Sequence, residues 1–432
     1  MSDKMNVVYI NSHDTGRYVQ PYGYAIPTPN IQKLAERGVL FRQAFNSAPT
    51  CSPSRAALVT GQYPHSSGML GLAHRGFGLT DPTQHICHTL KTAGYFTALS
   101  GVQHVASGNA LERIGYDRIL QGDRKDGHLS AVEFLAGGPK QPFYLEVGFR
   151  ETHREFPERD PSIAPDYSRP PSILPDTPET REDMARFATS ARNLDRKMGE
   201  VFDAIERNGL ADKTLIICTT DHGIAFPGMK CNLTDHGIGV MLIMAGPKPF
   251  VGGRALDAMV SQIDVFPTLC DWLGIVRPQW LQGASLMPLI YGEQDEVRDE
   301  VFAEVTYHAS YEPMRCARTR RWKYIKRFDG RTRPVLPNCD DSPSKSVWMK
   351  AGWKGISLDQ EQLFDLVLDP EERCNLADRP ASKSVLDEMR KRLDDNMKRT
   401  SDPLLHGPVP APKGAKVNDP DGISPQEPAT TL

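Results

Sequence analysis

Cys51, Pro53 and Arg55 stand in the pentapeptide Cys51-Ser52-Pro53-Ser54-Arg55, whose residue types and spacing suit anion chemistry. Ser52 is a good helix N-cap, Pro53 suits the first helical position, and Gly61 suits the end of a short helix. Cys51 is then placed at a helix N-terminus, where free backbone N–H groups and the helix dipole favour an anion. Arg55, four residues on, lies on the same helical face and offers a forked donor set to a tetrahedral oxyanion. The plainer reading of the same residues is a helix start with a buried cysteine.

A second group of reactive side chains is placed by the elements that precede them. Apolar runs at 6 to 10, 95 to 100, 142 to 148, 214 to 219 and 239 to 244 are short and bounded by polar or turn residues, as buried strands are. Helical patterns fall between them, at Asn30 to Arg37, Ser54 to Thr60, Thr89 to Ala93, Arg181 to Arg207 and Gln262 to Leu273. The alternation predicts an α/β fold: a large, mainly parallel sheet sandwiched by helices. His13 and Asp14 follow the first strand, His104 the second, His153 the third, and Asp221 and His222 the fourth. All would project from carboxyl ends of strands, where open α/β sheets place their ligands. Each alone reads as ordinary loop polarity; their shared placement reads as a site.

Strand patterns at Val301 to Val305, Trp322 to Arg327 and Gln362 to Leu366 precede a charged helix from Ser382 to Arg399, and these predict a smaller C-terminal α+β subdomain. The expected division is 1–295 for the catalytic domain, 296–406 for the smaller subdomain and 407–432 for an extended tail. That tail, rich in Pro, Gly and Asp, lacks a core pattern and is expected to hang free or lie over a neighbouring subunit of a homo-oligomer.

The pentapeptide and its flanks, Thr28-Pro29-Asn30 through Leu34, Gly38-Val39-Leu40-Phe41 and Leu58 to His65, resemble the N-terminal signature of the sulfatases. Thr220-Asp221-His222-Gly223 resembles the family's second metal motif. Gln362-Leu363-Phe364-Asp365-Leu366, Asp369 to Glu372 and Asn375-Leu376 resemble its C-terminal signature. The resemblance spans about residues 5 to 400. Within the family, Ser66-Ser67-Gly68-Met69, Phe226-Pro227-Gly228 and Tyr311 to Arg315 are similar to the heparan N-sulfatase branch of the alkaline phosphatase superfamily.

This resemblance implies that a maturase oxidises Cys51 to formylglycine, whose hydrate attacks sulfur or phosphorus. It implies a divalent metal on His13, Asp14, Asp221, His222 and modified Cys51. Arg55 and Lys230 would stabilise charge on the equatorial oxygens, His153 would protonate the leaving group, and His104 would act as the base that collapses the ester. Gln103, Glu304, Tyr307, His308 and Arg315 are the expected substrate contacts, although the last four equally suit a packed seam between subdomains. Three departures from the family pattern stand out. Imidazoles at His13 and His222 replace oxygen donors, which favours manganese, zinc or iron over calcium. Val102 takes the usual lysine position in Gly101-Val102-Gln103-His104, leaving room for an uncharged ester arm.

Three functions are therefore expected to compete: a sulfatase acting on sulfate esters or sulfamates, including sugars; a phosphonate monoester or phosphodiester hydrolase on the same scaffold; and an unmodified, silent binding protein. The 432-residue chain can bury a large core, and its net charge of −3 argues against nucleic acid or an anionic membrane as partner. Lacking an apolar leader or membrane span, it reads as soluble and cytoplasmic. Eight cysteines without paired spacing predict reduced thiols, several of them in the core. Arg150 and Arg154 read as solvated rim charges, and His65, His74, His85 and His88 as structural or surface residues.

Overall fold

The computed structural model describes residues 4–120 and 126–432. Eight strands form the main sheet: β1 (Asn6–Ser12), β2 (Val39–Phe45), β3 (Phe96–Gly101), β4 (Arg118–Ile119), β5 (Phe143–Gly148), β6 (Thr214–Thr220), β7 (Leu242–Ala245) and β8 (Arg254–Ser261). Their spatial order is β4-β3-β5-β1-β6-β7-β2-β8. β7 alone runs against its neighbours β6 and β2; the remaining pairings are parallel. β1 sits at the centre, pairing Ile10 with Val147 on one side and Cys218 on the other, and all seven of its residues are buried.

Side chains alternate across a strand, so β1 feeds two cores. Val7 and Tyr9 pack with Phe41, Tyr144, Ile217 and Phe266 on one face. Val8 and Ile10 pack with Leu145, Val147 and Ile216 on the other, under Leu194, Met198 and Val201 of the long helix Pro178–Arg207. That helix starts as its sequence dictates, with Pro178 in its first turn and a reciprocal Thr177–Thr180 capping box.

A separate antiparallel sheet holds β9 (Glu300–Tyr307), β10 (Tyr311–Thr319), β11 (Trp322–Arg327) and β12 (Glu361–Asp365) in the order β12-β11-β10-β9. The helix Lys383–Arg399 lays Leu386, Met389, Leu393 and Met397 on Ala317, Tyr324 and Leu363 of this sheet. Residues 407–432 depart from the expected free tail or intersubunit arm: they fold onto this same chain. Ala415 and Asn418 are buried, and Arg75 donates to Asn418 Oδ1 at 2.7 Å. A short hairpin of β13 (Lys416–Asn418) and β14 (Ala429–Thr431) closes the segment. Small and polar side chains make this contact, which is why no apolar pattern announces it.

No described helix is long and apolar enough to cross a membrane. All eight cysteines are free, with Cys51, Cys87, Cys218, Cys231, Cys270 and Cys316 buried. Because β1, β3, β5 and β6 are parallel, the loops after Ser12, Gly101, Gly148 and Thr220 leave the sheet at one edge. The loop after β2 leads into helix Cys51–Thr60 at that edge too.

Candidate active site

Helix Cys51–Thr60 is buried at every residue and ends at Gly61, whose φ of 66° and N–H bond to Ala57 O close it in left-handed backbone. Its start differs from the expected Ser52 cap by two residues. Thr50 takes the extended cap conformation, and Ser52 lies inside the helix, its Oγ accepting from Ala73 N at 3.0 Å. Cys51 is therefore the first helical residue.

Asp221 organises the loops around it. Its Oδ1 accepts the backbone N–H of Asp14 at 2.8 Å and of His222 at 2.9 Å, while Oδ2 accepts Arg55 Nε at 3.1 Å. These bonds hold Asp14 in the left-handed region at φ 55°, a conformation aspartate tolerates better than most residues. Thr152 stitches the His153 loop to the same turn, donating from Oγ1 to Asp14 O at 2.9 Å. The tight approach behind His222 requires Gly223, since a Cβ there would lie 1.9 Å from His236 O.

The loops converge on one buried cluster. Ligand-type atoms of His13, Asp14, Cys51, Asp221 and His222 all lie within 4.8 Å of one another. His222 Nε2 is 3.3 Å from Cys51 Sγ and 3.2 Å from Asp14 Oδ1. His13 Nε2 is buried without a hydrogen bond and faces Asp221 Oδ2 at 3.3 Å and Asp14 Oδ1 at 3.6 Å. Burial, His153 and Arg55 push the His13 imidazole well below its ordinary pKa, so it offers a lone pair rather than a charge. Two carboxylates, two inward imidazoles and the position-51 side chain form a donor set that fits one divalent cation.

Cations line the cluster. Arg55 donates to Asp221 and to Ser12 O, while its Nη1 is buried with no partner. Lys230 Nζ lies 2.9 Å from both Asp14 Oδ2 and Asp340 Oδ2. Burial opposes its charge, but Asp14 and Asp340 outweigh burial and hold its pKa well above the lysine value. Burial would likewise raise the Asp14 carboxyl, and Lys230, His153 and His222 outweigh it. Burial pushes the Cys51 thiol well up.

The His153 ring packs 4.5 Å from His13, and its Nδ1 donates to Arg154 O. His104, at φ 57°, stacks on exposed His74 with Nε2 3.0 Å from His74 Nδ1; its own Nδ1 is buried without a partner. Burial, Arg55 and His74 depress the His104 pKa strongly. His74 thus touches the site, beyond the surface role expected of it.

Several expected substrate residues have their polar groups engaged within the chain. Gln103 spends its amide on its own turn, at Ala106 O, Val105 N and Ala106 N. Glu304 accepts from His65, and Arg315 clamps Asp402, in a buried seam. Tyr307 donates to Val409 O at 2.8 Å and packs on Phe77 and Tyr311. Gln103 lies in the loop after β3, and Glu304, Tyr307 and Arg315 lie on β9 and β10. His308 differs, lying within electrostatic range of Lys230, Asp340 and His222 with Nδ1 buried and unpaired. Arg154 is no rim charge: it is buried, donating to Asp183 at 2.7 and 2.8 Å. Asp340 escaped sequence reasoning because nothing local marks a loop carboxylate whose partner is 110 residues away.

A mainly parallel sheet with a buried helix-start cysteine and a His/Asp cluster at its carboxyl edge has the build of a hydrolase, and the family matches make its class that of the sulfatases. The chain belongs to the sulfatase family, whose model matches residues 5–275. A second model, N-sulphoglucosamine sulphohydrolase, C-terminal, matches residues 229–344. The chain is 29% identical over 443 residues to the N-sulphoglucosamine sulphohydrolase of Homo sapiens, covering 89% of this chain and 88% of the relative. Its fold is similar to that of a solved 2-O GAG sulfatase, with TM-score 0.72, 21% identity and 95% of each chain covered. It is similar also to the phosphonate monoester hydrolase of Agrobacterium radiobacter, with TM-score 0.72, 19% identity, and 92% of this chain and 96% of that one covered. Both structural likenesses speak to fold alone.

Proposed function

We propose that this chain is a metal-dependent sulfatase that hydrolyses sulfate esters or sulfamates with a formylglycine made from Cys51 by a maturase. The observation that carries the reading is the placement of Cys51: first residue of a buried helix, 3.3 Å from His222 Nε2, inside the five-residue donor cluster. Formylglycine, once hydrated, would offer a hydroxyl nucleophile, and His13, Asp14, Asp221 and His222 would hold a divalent cation whose charge would favour ionisation of that hydroxyl.

The chain's own groups do the rest. Arg55 is held on two sides by Asp221 and Ser12, which leaves Nη1 to donate to an anion oxygen; Lys230, paired with Asp14, contributes a second charge. His153 keeps Nδ1–H on Arg154 O, which leaves Nε2 to meet a leaving group; as an imidazolium the ring would give up its Nε2 proton there and return to the neutral form. Neutral His104, its Nδ1 free in a buried setting, is suited to accept one.

The imidazole pair His13 and His222 supports a transition ion over calcium. Val102 in the usual lysine position supports a competing reading, a phosphonate monoester or phosphodiester hydrolase. Enzyme with Cys51 oxidation verified by peptide mass is assayed against aryl sulfate, glucosamine N-sulfate and an aryl phosphodiester, with metal content measured alongside. Sulfate or sulfamate turnover is expected to exceed phosphodiester turnover. Dominant phosphodiesterase activity would install the second reading.

A further inference from the structure

One short turn, Ala73–Arg75, joins three parts of the molecule that lie far apart in the chain. Ala73 N donates at 3.0 Å to Oγ of Ser52, the neighbour of Cys51, and Ala73 O accepts at 3.1 Å from Oγ of Ser107, in the loop that carries His104. Between them His74 stacks on His104, with its Nδ1 3.0 Å from His104 Nε2. Arg75 reaches the other way. Its Nη1 donates to Asn418 Oδ1 at 2.7 Å and to Ala309 O and Lys416 O at 3.4 Å, and its Nη2 donates to Pro425 O at 3.4 Å. The nucleophile helix, the His104 loop and the C-terminal segment therefore meet on consecutive residues.

Asn418 anchors the far end of that link. It is buried; its N–H donates to Ala309 O at 2.8 Å, its C=O accepts from Ser310 Oγ at 3.1 Å, and its Nδ2 donates to Glu427 O at 2.7 Å, which leaves Oδ1 for Arg75. Gly76 permits the close approach, since a Cβ there would lie 3.0 Å from the Cα of buried Ala415. The His104 loop needs such support. The φ of 57° at His104 is left-handed backbone, which a residue with a Cβ keeps only where its surroundings dictate it. His74 is exposed, so holding its ring in one place carries an entropic cost that a fixed backbone reduces. With Nε2–H of neutral His104 donated to His74 Nδ1, the lone pair left to accept a proton is the one on buried Nδ1.

We propose that His74 is a positioning residue for His104, and that the C-terminal segment, through Asn418 and Arg75, is the strap that holds His74 in place. This rests on the role given to His104 in the sulfatase reading above. His74→Ala, Asn418→Ala and the double variant, each with Cys51 oxidation verified, are compared with the unaltered enzyme on whichever of 4-nitrophenyl sulfate and glucosamine N-sulfate it turns over faster. Each single change is expected to lower kcat at least about tenfold with KM held within about threefold, because bound substrate meets a displaced base. The double variant should fall no more than about twofold below His74→Ala, since both changes act through one ring. Amide hydrogen exchange needs no turnover. In Asn418→Ala the N–H groups of Arg75, bonded to Leu72 O, and of Val105 and Ala106, bonded to Gln103 Oε1, are expected to exchange at least about tenfold faster, while those of β1 keep their rates. Unchanged kcat in His74→Ala, multiplied losses in the double variant, or faster exchange confined to residues 414–432 would each overturn the proposal. Absence of all turnover in oxidised, unaltered enzyme would instead sink the sulfatase reading, and the exchange comparison would still decide whether the strap holds the turn.

Discussion

Two buried clusters of histidine and carboxylate side chains, His13–Asp14–Cys51–Asp221–His222 and His65–Glu304–Asp402, each bring their donor atoms within 4.8 Å of one another. They differ in what completes them. In the seam cluster, Glu304 accepts the backbone N–H and Nδ1–H of His65, and Arg315 forks onto Asp402 at 3.1 Å through Nη2 and also through Nε. The protein's own guanidinium closes that group. At the strand ends, Arg55 pairs with Asp221 and Lys230 with Asp14, and His13 and His222 turn imidazole nitrogens toward the same carboxylates. Proximity of ligand-type atoms and a cation of the chain are common to both; five ligand-type side chains against three, and an Arg55 Nη1 left buried without a partner, belong to the strand-end cluster. Glu146 offers a third case, with the Tyr116 and Tyr144 hydroxyls as its side-chain donors among the described residues, at 2.7 and 3.3 Å. Burial pushes it up to about 7, outweighing the Tyr116 hydrogen bond and Arg55.

The largest expected effect is at the nucleophile. Cys51→Ala lowers sulfate-ester turnover by roughly 10⁴-fold or more while leaving the melting temperature within a few degrees, because the side chain lost is small. Turnover surviving that change would remove the first cluster's claim to chemistry. Next, Asp221→Asn is expected to lose metal stoichiometry and about 10²-fold or more in kcat/KM, since it weakens the cation site and frees Arg55 together. Full metal content in that variant would mean the two clusters are alike after all.

The seam should respond the other way. Asp402→Ala strips Arg315 of its main buried partner and is expected to cost about 3 kcal/mol of stability, read by denaturant unfolding. Activity per folded molecule should stay within about threefold, with no change in bound metal. Loss of metal there would assign the seam a role it lacks in this account. The smallest effect concerns Glu146. Its folded-state pKa lies above the ordinary value of 4.5, so its contribution to stability is full below that value and is lost as pH rises through about 7. Glu146→Gln should flatten the decline between pH 5 and pH 8, by up to about 3 kcal/mol. Parallel pH profiles for the two proteins would show that Glu146 does not titrate as its setting demands.

The site elements were legible where apolar runs end in chemistry. β6, β11 and the strand ends before His13, His104, His153 and Asp221 fall within a residue or two of the boundaries read from pattern, because fully buried strands must be apolar. β10 was not legible: Glu312, Arg315 and Arg318 are buried in ion pairs with Arg327, Asp402 and Asp235, so the strand lacks the usual apolar alternation. β8 is half exposed along Arg254–Asp257, which blurs its pattern. The Thr50 cap was hidden by a better capping residue at Ser52, whose hydroxyl is used across the fold at Ala73. Asp340 and the Glu304–Arg315 seam depend on partners far apart in the chain, and no local spacing encodes them.

The central claim is that position 51 acts only after oxidation, within the cluster at the strand ends. Preparations made with graded amounts of maturase provide enzyme whose formylglycine fraction is read from the mass of the peptide spanning Cys51. Sulfate released per mole of enzyme is then measured for each preparation. The account predicts turnover proportional to that fraction and extrapolating to zero with the unmodified thiol; turnover independent of the fraction would contradict it.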